Sequence, residues 1–219
     1  MTLRMVRIAL WGALAGVTLM LVAVTMGWIG TPQTQPGPVV ATQDAALPIG
    51  GEFELVDQSG QLRSWSDFRG KPVAVFFGFT HCPDICPMTL GELSVTLADL
   101  DADGARGDDL QVLLITGDPR RDTPDVLGRY LESFDPRIVG LTGSDKEVDK
   151  AFEVFRAYRE IVPLEGENYT VDHSAGVYLY DAQGGFVGTL DKDEPAETRM
   201  TKVERLLDGA QGVAAGDGV

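Results

Sequence analysis

The chain has 219 residues with 33 acidic and 18 basic side chains, a net charge of −15, and only two cysteines. That length suffices for one α/β domain with a buried core, plus smaller flanking segments. The acidic balance argues against a nucleic-acid partner, whose phosphates need Lys and Arg to neutralise them, and serves solubility instead.

Arg4 and Arg7 precede an uncharged stretch from Ile8 to Ile29. At about 1.5 Å rise per residue, a helix of that length crosses a bilayer. A cleaved signal peptide is the competing reading, but its apolar core is normally shorter, and Met26 to Gly30 offers no Ala-x-Ala pattern. Trp28 stands where an interfacial anchor would. Both cysteines lie too far downstream for a lipoprotein. The expectation is an uncleaved, single-pass transmembrane helix in residues 1–30. The flanking arginines leave its N-terminus in the cytoplasm and send the rest outside. Residues 31–48 are polar and proline-rich, and read as a flexible linker. A folded domain is expected over residues 49–208, and residues 209–219, rich in Gly and Ala, as a disordered tail.

Within the domain, strand and helix patterns alternate. Phe53 to Val56 and Leu62 to Trp65 flank Asp57-Gln58-Ser59-Gly60, an N-terminal hairpin signal. Val73 to Phe79 is a short apolar run, as a buried central strand would be. Helical spacing of Leu90, Leu93, Leu97 and Leu100 predicts a helix over Thr89 to Leu100. Gln111 to Thr116 reads as another buried strand. Thr123 as N-cap with Pro124 behind it starts a helix running to about Phe134. Arg137 to Leu141 is a weaker strand, and Asp145 to Tyr158 an amphipathic helix. Gly176 to Tyr180 and Phe186 to Leu190 form a last hairpin, followed by a helix over Pro195 to Leu207. Two strand-helix-strand units imply a parallel sheet, to which the final hairpin adds antiparallel strands. The fold class expected is α/β, thioredoxin-like.

The chemistry concentrates in Phe79-Thr80-His81-Cys82-Pro83-Asp84-Ile85-Cys86-Pro87, directly after the central strand. Cysteines four residues apart share a helix face, within reach of a disulfide or of one metal ion. A helix start also favours thiolate over thiol. A stabilising disulfide is the alternative, but closing so short a loop removes little chain entropy, which favours a chemical role. Of the two histidines, His81 adjoins Cys82, so the two side chains diverge. His173 lies just before the strand that begins near Ala175. In a thioredoxin-like sheet that strand runs antiparallel to the central one and brings His173 to the same sheet edge as the thiols. A lone loop histidine is commonly a surface residue, and only this placement raises it to a ligand. Two thiolates and an imidazole form a soft three-donor site suited to Cu(I) and tolerable for Cu(II), whereas zinc usually takes a fourth ligand. Asp118 follows the strand ending at Thr116, near the same edge. It is either a supporting acceptor that orders the metal loop or orients His173, or a plain Asp-Pro turn residue. Met88 reads as core packing, and the later part of Asp118 to Pro124 as helix-cap chemistry.

Together the cysteine block, Asp118-Pro119-x-Arg121-Asp122-Thr123-Pro124 and Asp172-His173-Ser174 resemble the Sco/SenC family over roughly residues 48–207. The resemblance implies one copper ion per chain on Cys82, Cys86 and His173, with Asp118 in support. It also implies delivery to the subunit II copper domain of cytochrome c oxidase, from a bacterial-type cytoplasmic membrane with the domain in the periplasm. Another periplasmic copper chaperone or a thiol reductant is the implied further partner. Gly117 departs from the family, which usually has an apolar residue there. The main rival is a thiol–disulfide oxidoreductase using Cys82 and Cys86 as a redox disulfide, possible also as an auxiliary role. Three residues between the cysteines, and His173-Ser174 where thioredoxins carry a proline, count against it. A peroxidase is disfavoured because Thr80-His81-Cys82 lacks the Thr-x-x-Cys spacing.

Overall fold

The computed structural model describes residues 3–25, 49–166 and 168–216, and the chain divides into two units, residues 1–46 and 47–219. In the first, α1 (Leu3–Thr25) falls on the stretch expected to be an anchor. Its described side chains are exposed, Trp11 and Leu19 among them. Among the described residues no helix is long and apolar enough to cross a membrane. The expected linker, residues 31–48, lies outside the described residues.

The second unit opens with the hairpin β1 (Glu54–Asp57) and β2 (Leu62–Ser64), then a 3-10 turn over Trp65–Phe68. Next come β3 (Val73–Gly78), α2 (Ile85–Ala102), β4 (Gln111–Thr116), α3 (Pro124–Leu131), β5 (Ile138–Thr142) and α4 (Asp145–Val154). A ribbon of β6 (Arg159–Pro163) and β7 (Tyr169–His173) precedes β8 (Val177–Tyr180), β9 (Phe186–Leu190) and α5 (Ala196–Gly216). The main sheet has the order β2-β1-β5-β4-β3-β8-β9, with β3, β4 and β5 parallel and β8 antiparallel to β3. This is the thioredoxin-like arrangement expected.

Strand β3 is buried along its whole length because helices cover both faces. Its alternate residues divide between two cores. Ala74 and Phe76 meet Leu90, Leu93, Leu97 and Leu100 of α2 and Val203, Leu206 and Leu207 of α5. Val75 and Phe77 face Trp65, Val148, Phe152 and Phe155 instead. Each of those α2 leucines contributes roughly 1.5–3 kcal/mol by leaving water.

The boundaries shift where local chemistry differs from the simple pattern. Helix α2 begins at Ile85, four residues earlier than expected, and Pro87 is tolerated because first-turn amides have no intrahelical acceptor. Helix α3 starts at Pro124 as expected but stops at Leu131. Ser144 caps α4 by accepting from the Glu147 amide, and Arg156, at φ 51°, ends it ahead of the expected Tyr158. Helix α5 runs beyond Leu207 into the segment expected to be a disordered tail. Alanine prolongs a helix already docked through Val203, Leu206 and Leu207. Residues 217–219 lie outside the described residues. The β6–β7 ribbon was not foreseen, and Val171 is its one buried residue.

Candidate metal centre

The chain leaves β3 at Gly78 and turns through Phe79, Thr80 and His81 into α2. A side chain at Gly78 would meet Cys86 Sγ at 3.1 Å and the Phe76 ring at 2.8 Å, so glycine lets the thiol lie against the strand end. Cys82 sits in the turn before the helix, with its amide donating to the Phe79 carbonyl at 3.2 Å. Cys86 is the second residue of α2 and donates its amide to Cys82 Sγ at 3.4 Å. The two thiols are therefore joined through one of the helix's spare N-terminal amides rather than stacked along one face. Both cysteines are free, Cys82 half-buried and Cys86 buried.

His173 ends β7, paired with Arg159 across the ribbon. Its ring stands edge-on to Phe79 and Phe76, with centroids 5.7 and 6.2 Å away. Nδ1 lies 2.9 Å from the Ser174 carbonyl. A carbonyl only accepts, so Nδ1 carries the proton and Nε2 presents its lone pair. Nε2 is 3.6 Å from Cys86 Sγ. The two sulfurs and one imidazole nitrogen lie within 4.8 Å of one another, the one such group among the described residues. Burial disfavours the charged form of both groups, pushing the Cys86 thiol up and lowering His173. A soft cation that expels the thiol protons fits this donor set. The site opens through a shallow cavity of about 170 Å³ lined by Phe79, Cys82, Pro83, Ile85 and His173.

Asp118 is buried at the carboxyl end of β4, but its oxygens are already engaged. Tyr169 donates its hydroxyl to Oδ1 at 2.9 Å, and Arg121 pairs with Oδ2. Arg121 also donates to the Tyr169 carbonyl and lies over the Tyr169 ring, 4.0 Å from its centroid. Asp118 thus grips the start of β7, while the Nδ1 of His173 is satisfied by Ser174. The geometry does not make Asp118 a direct acceptor for His173. Gly117 has its own purpose here: a side chain would come within 3.3 Å of Val171, the residue that seats the ribbon. Met88 is exposed rather than part of the core.

Asp122 was passed over as cap chemistry. It is fully buried and accepts from the Thr80 amide at 3.0 Å, the Thr80 hydroxyl at 2.6 Å and the Thr116 hydroxyl at 2.6 Å. The signal available was a second acid four residues after Asp118, on a turn leaving a buried strand. Nothing in the sequence indicated which donors it would meet.

The family model described as SCO1/SenC matches residues 41–208. A Homo sapiens protein described as the mitochondrial SCO2 homolog is 40% identical over 158 residues, covering 72% of this chain and 59% of its own length. The chain therefore spans about three fifths of that curated relative. The structure of Bradyrhizobium japonicum ScoI with copper bound is 40% identical with a TM-score of 0.66, covering 72% of this chain and 99% of that one. Yeast Sco1 with copper bound is 39% identical with a TM-score of 0.68, covering 74% and 89%.

Proposed function

This chain belongs to the SCO1/SenC family, and on that premise we propose that it is a copper chaperone whose cargo is held by Cys82 Sγ, Cys86 Sγ and His173 Nε2. The observation that carries the reading is the convergence of two free thiols and one imidazole within 4.8 Å. Loading displaces the thiol protons, whereas His173 surrenders none, because its proton sits on Nδ1 against Ser174. Three soft donors at an open mouth suit release as well as capture, since an acceptor's own soft ligands can displace them in turn. The acceptor proposed is the subunit II copper domain of cytochrome c oxidase, the destination the family resemblance carries. A donor chaperone or thiol reductant completes the cycle. The uncharged stretch over Ile8 to Ile29, flanked by Arg4 and Arg7, supports a membrane anchor that leaves residues 49–208 in the periplasm.

The test is to titrate the reduced protein with Cu(I) against a chelator, then mix the loaded protein with the apo copper domain of subunit II. One bound ion that moves to the acceptor is the expected result. A protein that binds no Cu(I) removes the reading. A second reading, disulfide reduction, draws on the exposure difference between a half-buried Cys82 and a buried Cys86. Cys82 attacks a target disulfide, and Cys86 then resolves the mixed disulfide, leaving two target thiols and a Cys82–Cys86 bond. Target reduction without copper transfer favours that reading.

A further inference from the structure

Two acids of one turn, Asp118 and Asp122, serve different halves of the site. Asp118 holds Tyr169 and with it the ribbon that ends in His173. Asp122 reaches the other way, to Thr80, two residues ahead of Cys82. Its Oδ2 takes the Thr80 amide and the Thr116 hydroxyl, and its Oδ1 takes the Thr80 hydroxyl. With the Thr80 hydroxyl proton committed to Asp122, Thr80 Oγ1 is left to accept from His81 Nδ1, 3.1 Å away. Thr142 donates to the Asp122 main-chain carbonyl at 2.7 Å, which ties the turn to β5 without touching the carboxylate.

Burying a carboxylate is costly, and for stability alone an apolar residue of similar size often serves as well. Burial does raise Asp122, against the pull of its three donors. What the carboxylate supplies is geometry: two acceptor oxygens that fix both the amide and the hydroxyl of one loop residue. We propose that Asp122 is a positioning residue for copper capture, acting through Thr80 to hold the Cys82 loop in the arrangement that meets Cys86 and His173. This rests on the copper reading above. A loop already ordered loses less freedom when the ion binds, so the latch raises affinity without contacting the cargo.

The test compares Asp122→Asn, Thr80→Val, their double mutant and Thr142→Val in the reduced full chain. Cu(I) affinity, thermal midpoint and hydrogen exchange of the Thr80 amide are measured for each. Asp122→Asn and Thr80→Val should each weaken Cu(I) binding about tenfold, the scale of one charge-assisted hydrogen bond. The double mutant should be no worse than the weaker-binding single, because both break one latch. Thr142→Val should lower the midpoint while affinity stays within about twofold. Affinities of Asp122→Asn and Thr80→Val within about twofold of wild type overturn the proposal, as does additivity in the double mutant or an equal affinity loss in Thr142→Val. If Asp122→Asn does not fold, Thr80→Val decides alone. A wild type that binds no Cu(I) defeats the copper reading. The latch is then judged by exchange at Thr80, faster in Asp122→Asn if it exists and unchanged if it does not.

Discussion

The two cysteines and the histidine stand on unequal foundations. The thiols sit at the junction of β3, buried along its length between two layers of side chains, and α2, which docks through four leucines. His173 ends a two-stranded ribbon with one buried residue, fastened at the Tyr169 end through Asp118 and Arg121 and at the His173 end through Arg159. Such a ribbon, with few apolar contacts, belongs to the part of a fold that opens at low free energy. The sulfur half rests on buried apolar packing, and the nitrogen half rests mainly on polar ties, those of Asp118 at Tyr169 and those of Arg159, opposite His173, to Asp145, Asp149 and the Gly117 carbonyl.

The largest effect should separate the halves by chemistry. Cys82→Ala or Cys86→Ala should abolish Cu(I) binding in chelator competition, whereas His173→Ala should weaken it by at least about tenfold and leave two-sulfur binding measurable. Equal losses in all three would erase the distinction. Stability should divide along the same line. Phe77→Ala in the core should cost about 3–5 kcal/mol in denaturant unfolding, and Val171→Ala in the ribbon only about 1–2 kcal/mol. A smaller change, Tyr169→Phe, removes the hydroxyl that reaches Asp118. It should cost about 1 kcal/mol and speed amide exchange in β6 and β7 while leaving β3 protected. Uniform acceleration across the sheet would show that the ribbon opens only with the whole domain.

The smallest effect concerns acid. Arg137 holds the Asp135 carboxyl below its usual range through bonds of 2.8 and 2.7 Å. Its folded value lies below the unfolded one, near 3.9. The stability it contributes is therefore complete above about pH 4 and fades as pH falls through the folded value. Asp135→Asn should lower stability at neutral pH and flatten its decline below about pH 4 in denaturant titrations. An unchanged slope would remove Asp135 from the acid response.

How much was legible in the chain depended on whether a residue's neighbours were local. Apolar runs revealed β3 and β4, and heptad-like leucine spacing revealed α2, because burial on one or both faces writes itself into residue type. The β6–β7 ribbon buries almost nothing but Val171, so it wrote almost nothing, and His173 read as a loop residue although it ends a strand. Asp118 was noticed for its position at a strand end, but its partners Tyr169 and Arg121 were not. Asp122, from the same motif, was misread as a helix cap because its donors are 42 residues away in Thr80 and six away in Thr116.

The sequence by itself determined the fold class, the thiol pair and the strand that carries it, since these follow from local spacing and hydrophobic pattern. Only the tertiary structure decided that His173 Nε2 points at Cys86, that the helix begins at Ile85, between the two cysteines, and that two neighbouring acids hold opposite halves of the site. Those outcomes depend on hydrogen bonds between residues far apart in the chain. Direction and partner are properties of the packed sheet edge, and no single segment encodes them.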